Sequence, residues 1–89
     1  MKYVIIIARG SEAYWGSFPD VPGCVVGGDD LNEVAANAPV VLAAHLEGGS
    51  VPPARSLAEV LADREVADLL EGDEIFATVA YHAESVAVA

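Results

Sequence analysis

The chain opens on an unbroken apolar run. Residues Lys2 to Arg9 are aliphatic and β-branched with no interior polar position, which predicts a central strand covered on at least one face. Gly10-Ser11-Glu12 supplies turn chemistry. A second strand follows from Ala13 to Phe18, with Tyr14, Gly16 and Phe18 on one side and Ala13, Trp15 and Ser17 on the other. Pro19 and Pro22 end it because neither can donate to a ladder, and Gly23 lets the backbone turn where a positive φ is needed. Cys24 to Val26 forms a short third strand, broken by Gly27-Gly28.

The period then changes from two to 3.6. Asp30 stands as an N-cap with Glu33 three residues on, the spacing of a capping box. Leu31, Val34, Ala35, Ala38, Val41, Leu42, His45 and Leu46 mark one face of a helix from Leu31 to about Glu47. Pro39 lies in its middle, where it removes a backbone hydrogen bond at a cost of about 3 kcal/mol, so a kink or break is expected near Ala35 to Pro39. Gly48 to Arg55, with Pro52-Pro53, reads as a loop. Ser56 and Glu59 repeat the capping signature ahead of a second helical stretch that splits near Asp63 and stops at Gly72. Glu74 to His82 is a fourth strand.

The order strand, strand, strand, helix, helix, strand is that of an α+β domain. A helical crossover allows the fourth strand to lie parallel to one of the first three, which predicts a four-stranded mixed sheet with helices on one face. Residues 1–82 form the domain. The tail at 83–89 is apolar enough to be an added edge strand, contributed to a neighbouring subunit.

Composition bounds what such a domain can do. Eighty-nine residues support one core, and a domain of this size is marginal alone, so an oligomer or an obligate partner is expected. Fourteen acidic residues against four basic ones give a formal charge of −10. Lys2, Arg9, Arg55 and Arg64 are scattered, whereas nucleic-acid binding needs clustered Lys and Arg against phosphate; direct DNA or RNA binding is not expected. An acidic surface suits steering onto a basic partner. The first strand is interrupted by Arg9 too early for a signal peptide, no run is long enough to span a bilayer, and the single Cys24 has no internal disulfide partner. The expected location is the cytoplasm.

Three motifs stand in order: FPDVPGC at Phe18 to Cys24, GDDLNEV at Gly28 to Val34, and GSVPPARS at Gly49 to Ser56. Together they resemble the HicB-like antitoxin family over nearly the whole chain. The resemblance implies a partial ribonuclease-H-like fold with the fourth strand beside the first, assembly as a homodimer or homotetramer, and neutralisation of a small basic HicA-like ribonuclease toxin. It implies no enzyme and no cofactor. Family members commonly carry a C-terminal DNA-binding extension, but seven residues follow His82, so operator binding is not carried over. Pro39 also departs from the family, which usually has a charged helix former there.

Several residues carry candidate chemistry. Asp20, Asp29, Asp30, Glu33 and Glu74 raise a metal-dependent nuclease, but the first strand contributes no carboxylate and a basic substrate surface is lacking. Asp20 reads as a turn former between prolines or as a partner contact; Asp30 reads as a cap. Asp29, without a capping duty, and Trp15 are the other partner-contact candidates. Phe18, Pro19, Pro22, Gly23, Gly28, Asp30 and Glu33 read as structural. His45 and His82 lie in no ligand cluster, and Cys24 reads as a small buried hydrophobe. An oligomerising adaptor without a toxin is the alternative to the antitoxin.

Overall fold

The computed structural model describes residues 1–81, so His82 and the expected tail strand at 83–89 lie outside the described residues. Its elements are β1 (Lys2–Arg9), β2 (Tyr14–Ser17), β3 (Val25–Gly28), α1 (Leu31–Leu46), α2 (Leu57–Ala62), α3 (Arg64–Leu69) and β4 (Ile75–Ala80). The four strands lie in the order β3-β2-β1-β4. The first strand, the split at Asp63 and the placing of β4 beside β1 all follow the expectation.

Strand direction does not. Every pairing is antiparallel, including β1 with β4, where Tyr3 faces Val79 and Ile5 faces Ala77. The expected mixed sheet is therefore corrected to an antiparallel one. A crossover with one helical leg would deliver β4 parallel to β3; here α1 is followed by a second leg, α2–α3, which returns the chain to the end of the sheet at which it left β3.

The helices also do not share one face. Val34, Ala38, Leu42 and Leu46 of α1 pack with Tyr3, Ile5 and Ile7, whereas Val60 of α2 and Val66 of α3 pack with Val4 and Ile6. Alternate residues of a strand point to opposite faces, so an uninterrupted apolar β1 offers two greasy surfaces, and each requires its own cover. The second is the smaller core: three buried residues, Val4, Val60 and Val66, with Ile6 partly buried beside them.

Helix α1 runs unbroken through Pro39. Both Ala35, whose carbonyl loses its partner, and Pro39 itself are exposed, so water can satisfy the freed oxygen. Burial of Val34, Leu42 and Leu46, worth about 1.5–3 kcal/mol each, outweighs the proline. Asp30 caps the helix by accepting the Glu33 amide at 2.8 Å, and the Glu33 carboxylate reaches back to the amide of Asp29, at 3.4 Å, one residue before the usual partner. Gly28 is required here: a Cβ on it would stand 2.8 Å from the backbone nitrogen of Val34.

Between β2 and β3 the chain makes two successive turns, Val21 N–H to Phe18 O and Cys24 N–H to Val21 O, both at 3.1 Å. Phe18, Val21 and Cys24 are buried in the main core. Gly23 completes the second turn at φ +85°, a region that a side chain would resist.

Candidate protein-binding groove

The two faces of the sheet are covered unequally. On the outer face α2 and α3 stand over Val4 and Ile6, but among the described residues no helix stands above β2 and β3. The side chains pointing that way from β2 and β3 include Trp15 and Val25, each 54% exposed. A groove of about 410 Å³ results, floored by Ile6, Ala8 and Ser17 and walled on one side by Val66, Leu69 and Leu70. Leu69, at 81% exposed, stands on its lip.

Trp15 is held in a defined pose. Gly27 lies beneath its six-membered ring, where a Cβ would come within 2.8 Å of Cζ3, and a Cβ on Gly10 would stand 3.6 Å from its Cδ1 and Nε1. The indole therefore lies over the sheet with its remaining surface toward the groove and solvent.

The rim is acidic. Among the described residues, Asp63, Glu65 and Glu74 line it together with one cation, Arg55. That cation is already engaged: Nε donates to Asp20 Oδ1 at 2.6 Å and Nη1 to Asp63 Oδ2 at 2.8 Å, while the Arg55 backbone N–H donates to Asp20 Oδ2 at 2.7 Å. The guanidinium, hydrogen-bonded first by Asp63 and then by Asp20, is raised above its ordinary pKa. Asp63 is held below the ordinary carboxylate range, chiefly by Arg55 and then by the Glu65 amide that it caps.

The clamp fastens the loop between α1 and α2 to the turn after β2, with the Tyr3 hydroxyl donating to the carbonyl of Pro52 as a second tie. Burial, followed by the nearby charge of Asp20, raises the pKa of Tyr3.

The partner-contact candidates thus have different surroundings. Asp20 has a side chain only 7% exposed and spends both oxygens on Arg55. Asp29 is exposed at the start of α1, and Trp15 is exposed on the outer face. Pro19 lines the groove, and Pro22 is exposed away from it.

Four of the five carboxylates considered for metal chemistry have local work: Asp30 and Glu33 at the α1 cap, Asp20 on Arg55, and Glu74 accepting from the amides of Glu71 and Gly72 at 2.8 and 2.9 Å; Asp29 alone points to solvent. These two amides lower the Glu74 pKa. Among the described residues no three His, Cys, Asp or Glu gather to hold a metal ion. Burial raises the pKa of the Cys24 thiol. Among the described residues no helix is long and apolar enough to cross a membrane.

Sequence reasoning missed the Arg55 clamp and the groove. Asp20 and Arg55 are 35 positions apart, and only the fold makes them neighbours. The available signal was Val25, apolar at the outward position between Cys24 and Val26; the exposure of Leu69 is seen only in the fold.

Comparison with known proteins places this architecture. The family model described as "HicB_like antitoxin of bacterial toxin-antitoxin system" matches residues 3–83. The chain belongs to that family. Among solved structures it is similar to a chain of a "HicA3 and HicB3 toxin-antitoxin complex", at 28% identity and TM-score 0.72, over 92% of this chain and 99% of that one. It is similar also to the HicB3 antitoxin alone, at 27% identity and TM-score 0.71, over 92% of this chain and 62% of that one. The Burkholderia pseudomallei antitoxin HicB, at 20% identity and TM-score 0.76, shares the fold over 94% of this HicB-like chain and 65% of its own. An uncharacterised 14.9 kDa protein from the rep-hol intergenic region of Haemophilus phage HP1 is 44% identical over 48 residues, which cover 54% of this chain and 36% of the phage protein.

Proposed function

We propose that this HicB-like protein is an antitoxin that binds a small basic HicA-like toxin and neutralises it by covering its ribonuclease active site. The observation that carries the reading is the family match over residues 3–83. The similar fold seen in a toxin-antitoxin complex and the formal charge of −10, which favours encounter with a cationic protein, support it. Covering the active site needs no chemistry from the antitoxin. It needs a surface that excludes RNA, and an acidic one repels phosphate as well as occupying space.

The test is co-expression with the small basic reading frame expected beside the gene. The two products are expected to co-elute on a sizing column, growth arrest is expected to be relieved, and RNA cleavage by the purified toxin is expected to cease at equimolar antitoxin. Absence of a complex together with continued arrest would overturn the reading. A complex that still cleaves RNA would overturn the occlusion mechanism alone.

A further inference from the structure

The groove on the outer face has no assigned occupant, and its chemistry specifies one. We propose that the trench between α3 and the outer face of β2–β3 receives an apolar side chain from a basic protein, anchored on Trp15 and Leu69, with Lys or Arg flanking it against Glu65 and Glu74. On the antitoxin reading, on which this rests, that protein is the toxin.

Three features point to a macromolecular partner of this charge. The floor is apolar but for Ser17, and between the acidic groups of the rim Leu69 and Trp15 expose more apolar surface than water favours. Trp15 is pre-oriented over Gly27, so little ordering is required on binding, as befits an aromatic anchor at the centre of an interface. Among the described residues the one cation in the lining, Arg55, is paired with Asp20 and Asp63, so that Glu65, and Glu74 with only its two neutral amide donors, face no cation at the rim.

Charge also decides between occupants. A second copy would bring another −10 chain and its own acidic rim against this one, and nucleic acid would bring phosphate; like charges set opposite each other oppose both. A cationic segment reverses the sign. The opposite side of the molecule serves as a control, because Val40, 70% exposed on α1, lies across the sheet from the groove.

Trp15 is the sole tryptophan, so it reports on its own surroundings. Acrylamide quenching of its fluorescence is measured in the free protein and in the complex with the co-expressed toxin, with the complex of Trp15→Phe as blank. Quenching is expected to fall at least about threefold in the complex. Trp15→Ala and Leu69→Glu are expected to weaken binding tenfold or more, on the order of an interface anchor, and Glu65→Lys to slow association. Val40→Glu is expected to leave binding unchanged. Trp15 and Leu69 are both more than half exposed, so unchanged melting temperatures will confirm that the variants fold.

A complex in which Trp15 stays fully quenchable, or which tolerates both anchor substitutions, would overturn the groove assignment while leaving the antitoxin reading intact. Concentration-dependent shielding of Trp15 in the free protein would show a second copy in the trench and overturn it as well. Failure of the wild-type pair to associate would sink both readings together.

Discussion

The carboxylate of Asp20 accepts two hydrogen bonds from one residue, Arg55: the side-chain Nε at 2.6 Å and the backbone amide at 2.7 Å. A turn that follows β2 is thereby locked to the loop that precedes α2. Asp20→Ala removes both bonds and leaves the Arg55 amide and guanidinium short of partners. The expected loss is about 2–3 kcal/mol of stability. Urea unfolding measures it, and unaltered stability would release Asp20 from the structural role and return it to the surface candidates.

The other arm of the clamp carries a pH dependence. Asp63 is titrated at a lower pH in the folded chain than in the unfolded one, so its contribution is present above the ordinary carboxylate pKa and is lost as pH falls through the depressed value. Asp63→Asn keeps an oxygen for the α3 cap but removes the charge opposite Arg55. The melting-temperature difference between wild type and Asp63→Asn is expected to be clear at pH 7 and to shrink as pH falls below about 4. A difference that does not change with pH would contradict the ion-pair account.

Pro39 is tolerated, not required. Its exposed position in a continuous helix makes Pro39→Ala a stabilising change, because a backbone hydrogen bond returns and the ring clash disappears. Roughly 1–2 kcal/mol is expected after allowing for the greater freedom of the unfolded alanine chain. In a domain of this size that raises the melting temperature by several degrees. A lower melting temperature would mean that the ring makes packing contacts elsewhere.

Gly28 admits no side chain. Gly28→Ala forces a methyl group against the backbone of Val34, which is fully buried and cannot move aside cheaply. A cost of about 1–3 kcal/mol is expected, as for other overpacked sites. Denaturation at equilibrium checks it, and a neutral result would show that the start of α1 can shift.

How much of this was legible beforehand varies with the range of the interaction. The caps at Asp30 and Ser56, the split at Asp63 and the full length of β1 are local and were readable, because each depends on residues within a turn of one another. The break expected at Pro39 did not occur because propensity is a local cost, while the buried stripe of Val34, Ala38, Leu42 and Leu46 is fixed by the sheet beneath it.

The sequence by itself determined which strands and helices form, their order, the acidic balance and, through three spaced motifs, the family, although Gly27 and Gly28, read as breaking the third strand, are paired within β3. Tertiary structure decided the direction of β4, the division of the helices between two faces and the pairing of Asp20 with Arg55. It also decided that Trp15, Val25 and Leu69 meet around one groove. The reason is physical: period and capping act over a few residues, whereas a surface is made by segments far apart in the chain, brought together only when both apolar faces of β1 have been covered.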